Sequence, residues 1–147
     1  MSASRIRSIR TSVKAAAAAL LAAPLIIAGL ATPAAAGTNC DGGYHCVFWS
    51  GFDSAQHRYF NSDTNFAGDT FNRTNFGSAG ANTSVNDNAW SASNSSTGGY
   101  YSKYYLNSGY TGGMLICIAP GRQAEHKSAL LTASSLQLST SNPGGCF

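Results

Sequence analysis

Three histidines, six acids and four cysteines carry most of the reactive chemistry available to this 147-residue chain. His45, His57 and His126 are widely spaced, and only His126 has an acid beside it, Glu125. An acid–base pair needs a cleft and a substrate partner, so a solvated loop is the expected setting of Glu125-His126. Asp41, Asp53, Asp63, Asp69 and Asp87 are dispersed among Gly, Asn and Ser, where aspartate commonly closes turns on its own backbone. Spacing alone neither identifies nor removes a glycosidase-type carboxylate pair. The chain has no GxSxG elbow, no HExxH and no phosphate-cradling glycine loop. No enzyme is expected, and no cofactor is required.

The cysteines point to a different chemistry. Cys40, Cys46, Cys117 and Cys146 form an even set, which in a small exported domain reads as two disulfides. Three pairings are possible. Cys40 with Cys46 and Cys117 with Cys146 is favoured, because Asp41-Gly42-Gly43 permits a tight first loop and the second bridge would tie the tail to a central strand. In the chain-entropy picture these loops contribute roughly 2 and roughly 3.5 kcal/mol. A zinc site is the competing use of the thiols, but there is no CxxC pair and the histidine spacing does not suit one.

An exported domain needs a leader, and the first 36 residues have the required order. Arg5, Arg7, Arg10 and Lys14 come first, an alanine-rich apolar run follows, and Ala34-Ala35-Ala36 ends it with small residues. The run falls short of the ~20 strongly apolar residues of a membrane span. Residues 1–36 are therefore expected to be a cleaved signal peptide, leaving residues 37–147 as one secreted, extracellular domain. The leader holds four of the nine basic residues and none of the acids, so the mature chain carries five bases, six acids and a net charge of −1. A near-neutral chain has no long-range field for phosphates, which argues against nucleic acid and, after cleavage, against a membrane surface. A monomer is expected.

All sixteen aromatic residues lie in the mature part, enough apolar area for a core. Gly, Asn, Ser and Thr interrupt it every few residues, and no apolar stripe at helical spacing is sustained. Short strands with many turns are the expected texture. Strands are predicted over 44–49, 57–60, 100–106 and 114–119, with a last one within 130–138 after an irregular turn at 123–128. Residues 61–82 read as a long loop with two Thr-Asn-Phe copies.

One segment goes further. Tyr105-Leu106-Asn107-Ser108-Gly109-Tyr110-Thr111-Gly112 spaces two aromatics and a glycine as in the signature hairpin of βγ-crystallin Greek keys, which it resembles. Phe48-Trp49-Ser50-Gly51-Phe52-Asp53-Ser54 looks like the same hairpin one residue shorter, with Ser54 at the glycine position. Asn86-Asp87-Asn88-Ala89-Trp90-Ser91 and Leu131-Thr132-Ala133-Ser134-Ser135 resemble the loops that follow. The order hairpin, loop, hairpin, loop covers nearly all of the mature chain. It implies an all-β, disulfide-bonded sandwich of two Greek keys in which Phe48, Phe52, Tyr105, Tyr110 and Gly112 shape the hairpins.

Within that superfamily the chain is most similar to the actinobacterial secreted peptidase inhibitors, on the leader, the single domain, the Cys40–Phe48 segment and Cys117. The resemblance implies a partner that is an extracellular peptidase, probed first among metallopeptidases, and a rigid loop that enters its cleft. Disulfide-adjacent residues Val47, Ile118 and Arg122 are the candidate contacts, and the polar 61–82 stretch is a third candidate surface. Val47 and Ile118 would equally serve as core residues of strands. The alternative function is a non-inhibitory module for calcium, a glycan or a cell surface, with Trp49, Trp90, Tyr100, Tyr101, Tyr104 and Tyr105 as stacking rings. The resemblance also implies paired calcium loops. Here Trp90 replaces a hydroxyl and Leu130 and Leu131 replace acids, leaving one degenerate site from Asn86, Asp87 and Ser134.

Overall fold

The computed structural model describes residues 39–147. The expected signal peptide, residues 1–36, lies outside the described residues. Among those described, every regular element is a strand or a short 3-10 turn, and no helix is long and apolar enough to cross a membrane.

Seven strands form two antiparallel sheets. β1 (His45–Phe48), β2 (Gln56–Tyr59), β3 (Ser91–Asn94) and β6 (Gln123–Ala124) make the first, in the order β2-β1-β3-β6. β4 (Tyr101–Asn107), β5 (Thr111–Ile118) and β7 (Ser135–Ser139) make the second, in the order β5-β4-β7. Each sheet borrows from the opposite half of the chain. β6, from the second half, pairs with β3, and Asp63, from the first half, bridges Leu136 on β7.

The period of two decides what each strand buries. On β1, Val47 enters the core between the sheets, while Cys46 and Phe48 point the other way into a small cluster with Cys40, Tyr44 and Phe52. On β5, Ile116 and Ile118 face the core and Cys117 alternates with them. Tyr104, Leu136, Phe66 and Phe71 complete the large buried positions. The disulfides are Cys40–Cys46 and Cys117–Cys146, and no described cysteine is free. One bridge thus covers the outer face of the first sheet, and the other anchors the tail to β5.

Three sequence expectations are corrected. The Ser-Ala-Ser-Asn run 91–94 is the strand β3, buried along its whole length, although nothing in its residue types favours a strand. Gln123 and Ala124, expected in an irregular turn, form the short edge strand β6. The segment assigned to the last strand begins instead with a 3-10 turn, Ser128–Thr132, which buries Leu130.

The two hairpins are built alike. Phe48 packs edge-on over Phe52 at 5.1 Å, and Tyr105 lies 6.0 Å from Tyr110. Ser54, standing where a glycine was expected, closes the first turn by donating to the Gly51 carbonyl (2.6 Å) and accepting from the Ser50 N–H (2.9 Å). A strand serine clasps each hairpin. Ser91 at the start of β3 donates to the Ser50 carbonyl, and Ser135 at the start of β7 donates to the Asn107 carbonyl.

Candidate functional site

Arg122 is the one candidate contact residue that reaches solvent. Val47 and Ile118 are fully buried in the core, and β1 lies between two neighbours with no free edge. Neither residue can meet a protease cleft, because apolar side chains inside paired strands face the core. The 61–82 stretch is pinned by Phe66, which stacks on Tyr59 at 5.1 Å, and by buried Phe71, while most of its other residues are exposed.

The chain around Arg122 is a tight turn. β5 ends at Ile118, and Ala119-Pro120-Gly121-Arg122 reverses direction, with the Arg122 N–H donating to the Ala119 carbonyl at 3.1 Å. Proline fixes the second position, and Gly121 takes a φ of 73°, a region closed to most side chains. Asn94, the last residue of β3, holds the turn from inside. Its N–H donates to the Arg122 carbonyl and its carbonyl accepts from the Gly121 N–H, both at 2.9 Å. Its buried side-chain amide donates to the carbonyls of Ile118 (2.9 Å) and Tyr100 (2.8 Å), and its Oδ1 accepts from the Ser96 N–H (2.9 Å).

The tail holds the turn from outside. The Ala119 N–H donates to the Phe147 carbonyl (2.8 Å) and the Phe147 N–H to the Cys117 carbonyl (3.0 Å), next to the Cys117–Cys146 bridge. Lys127 places its ammonium 4.4 Å from the Phe147 ring. The Arg122 guanidinium has no hydrogen-bond partner among the described residues and projects from a backbone fixed on both flanks. No sequence motif marks Asn94 for this part, since it sits in a Ser/Asn-rich run that reads as loop.

The histidines have separate settings. His57 donates from Nδ1 to the Thr70 carbonyl at 2.8 Å. His126 lies edge-on to Trp90, and Glu125 accepts from the Phe52 N–H at 3.2 Å. Glu125, Asp53 and His126 surround Gly51 so closely that a Cβ there would lie 2.9 Å from the Glu125 carboxylate, 3.0 Å from the Asp53 carboxylate and 3.5 Å from the His126 ring. His45 is buried, with Nδ1 2.7 Å from the Ser102 hydroxyl, a hydrogen bond that joins the two sheets. Burial pushes its pKa down to about 4.

That shift has a defined consequence for acid stability. The folded pKa lies below the unfolded value, so the unfolded chain binds the extra proton as pH falls from about 6.5 towards 4. Stability from neutral His45 is complete above that window and is lost through it. Between pH 7 and pH 4.5 the loss is on the order of 2 kcal/mol from this residue. Urea unfolding at both pH values should show that much less acid sensitivity in His45→Gln than in the native protein. Equal pH dependence in the two chains would refute it.

For calcium, the two loops do meet, with the Asp87 N–H donating to the Ala133 carbonyl at 3.2 Å. The oxygen set is poor. Asn86 donates its amide to the Asp87 carboxylate, and the Ser134 carbonyl accepts from the Phe66 N–H. No group of three or more His, Cys, Asp or Glu suited to a metal exists among the described residues. Asp87 is the one carboxylate of that set, so the roughly six to eight oxygens calcium takes would have to come mostly from backbone carbonyls and water. Of the six rings considered for stacking, Tyr104 is fully buried, whereas Trp49, Trp90 and Tyr100 are exposed.

No protein-family model matches the chain, and neither a curated protein nor a solved structure matches it.

Proposed function

We propose that this protein is an exported inhibitor of an extracellular peptidase and that the 119–122 turn, presenting Arg122, is the segment that enters the protease. The observation carrying this reading is the brace. A turn already fixed by Asn94, by the Phe147 backbone and by the Cys117–Cys146 bridge loses little conformational freedom on docking. Arg122 on such a frame suits the pattern of interfaces in which a few rigidly held residues, arginine among them, carry most of the binding energy.

The fold proposed for this role is the βγ-crystallin-like pair of Greek keys. Three features support it: the exchange of β6 and the Asp63 bridge between sheets, the matched hairpins, and the equivalent clasps from Ser91 and Ser135. Two disulfides fit an oxidising compartment, and with them the proposed removal of residues 1–36. The resemblance to secreted metallopeptidase inhibitors sets the first target class to assay.

The test is titration of the oxidised protein against a thermolysin-like metallopeptidase, a subtilisin, a trypsin-like and a cysteine peptidase. Stoichiometric inhibition of one class is expected. Arg122→Ala should weaken it about 30-fold or more, the scale of an interface hot spot. Arg73→Ala, an exposed arginine on another surface, should leave it unchanged. Full activity of all four peptidases, or undiminished inhibition by Arg122→Ala, would defeat the proposal.

A further inference from the structure

At one end of the sandwich, β1, the segment after β2, the loop after β3 and the end of β7 enclose a cavity of about 400 Å³. That size lies within the roughly 300–1,000 Å³ of small-ligand pockets. Phe60, Asn61, Thr97, Tyr100 and Leu138 line it, with His45 among them. None of the described residues lining it carries a formal charge at neutral pH, because burial keeps His45 in its neutral form.

Two rings stand at this cavity in open solvent. Phe60 is 65% exposed and Tyr100 is 44% exposed, high values for large aromatic side chains. Each has neighbours on one side. Tyr44 meets Phe60 edge-on at 5.5 Å, and Gly43 lies beneath it, where a Cβ would stand 3.7 Å from the Phe60 ring. The Tyr100 ring lies over Gly98 so closely that a Cβ there would come within 2.8 Å of it. The Tyr100 backbone is held as well, its N–H donating to the Ser96 hydroxyl (3.0 Å) and its carbonyl accepting from Asn94 (2.8 Å).

The polar groups at the cavity are an amide, hydroxyls and an imidazole. Ser102 engages Nδ1 of His45, while Nε2 of that ring, the Asn61 amide and the Thr97 hydroxyl have no hydrogen-bond partner among the described residues. Exposed aromatic faces beside uncharged donors and acceptors suit a ligand with an apolar face and a rim of hydroxyls. A charged ligand would be desolvated there without a counter-charge.

We propose that this cavity is a binding site for a neutral saccharide, with a sugar ring stacked on Phe60 or Tyr100 and its hydroxyls meeting Asn61, Thr97 and His45. The site uses none of the residues of the 119–122 turn and is independent of the inhibitor reading.

Amide-resolved NMR titration of the oxidised, ¹⁵N-labelled protein tests it. The probes are cello-oligosaccharides, xylo-oligosaccharides and N-acetylchito-oligosaccharides, with polygalacturonate as the charged comparison. Saturable shifts are expected at the amides of Thr97, Gly98, Gly99 and Tyr100 and at the His45 ring with at least one neutral series. Phe60→Ala and Tyr100→Ala, both at exposed side chains, should each weaken that binding about tenfold. Trp49→Ala should bind normally. Inhibition of the peptidase should be the same in Phe60→Ala and Trp49→Ala, so either proposal can fail alone. The site is disproved if no neutral series shifts these amides, if binding survives loss of both rings, or if polygalacturonate binds more tightly.

Discussion

Gly77→Ala is expected to lose about 4 kcal/mol of stability, while Gly68→Ala stays within about 0.5 kcal/mol of the native protein. Gly77 ends a small turn in which the Thr74 N–H donates to the Gly77 carbonyl at 3.0 Å and the Thr74 hydroxyl accepts from the Phe76 N–H at 3.1 Å. This turn lies directly on the first hairpin. A Cβ on Gly77 would overlap the backbone carbonyl of Asp53 and press on the Cα of Ser54. The obstruction is main chain, so no rotamer change relieves it. Nor is the hairpin free to retreat, since Ser54 hydrogen bonds fix its turn and the Ala55 N–H donates to the Ala79 carbonyl at 2.9 Å. Gly68 closes a 3-10 turn with nothing near a prospective Cβ, and alanine there removes only unfolded-state freedom. Urea unfolding with both disulfides intact measures the difference. A loss below about 1 kcal/mol at Gly77 would mean that the 74–77 turn does not rest on Asp53.

That close approach marks where the sequence stops being informative. β1, β4 and β5 are legible because their apolar and aromatic residues recur and turn formers bound them. β3 is not, since Ser91, Ala92, Ser93 and Asn94 have no strand preference, and their conformation comes from pairing with β1 on one side and β6 on the other. The cysteine pairing can be argued from loop lengths. The exchange of segments between the sheets cannot be read from residue types, because it is a property of topology; only the resemblance carries it.

The candidate contacts follow the same division. Position beside a cysteine does not say which way a strand side chain points, and Val47 and Ile118 face the core between the sheets. Arg122 differs because Pro120 and Gly121 precede it, and those residues announce a turn outside the ladder. The partner that makes the turn rigid is Asn94, 28 residues earlier in the chain, and no local pattern connects the two.

Asn94 is therefore the residue whose replacement should affect the proposed site most, and Asn94→Ala is expected to destabilise the fold by about 4 kcal/mol. The substitution strips partners from the Ile118 carbonyl, the Tyr100 carbonyl and the Ser96 N–H, and leaves a gap beneath the turn. Each stranded buried polar group costs about 1–3 kcal/mol, with the Tyr100 carbonyl at the low end because water can reach it. Asn94→Asp separates hydrogen bonding from packing, since the shape is kept. The carboxylate still accepts from the Ser96 N–H, but it faces two carbonyl oxygens where an amide donor stood. Ionisation is disfavoured there, so the folded pKa of the new acid should rise above its unfolded value near 4. The contribution is then intact below pH 4 and lost as pH rises through the folded pKa. Relative to the native chain, Asn94→Asp should consequently be least stable near neutrality and recover on acidification, the reverse of the trend set by His45. Both variants should inhibit more weakly than the native protein although Arg122 is present. Native-like stability of Asn94→Ala in urea would mean that the side chain does not brace the turn, and a flat pH response of Asn94→Asp would mean that packing alone accounts for it.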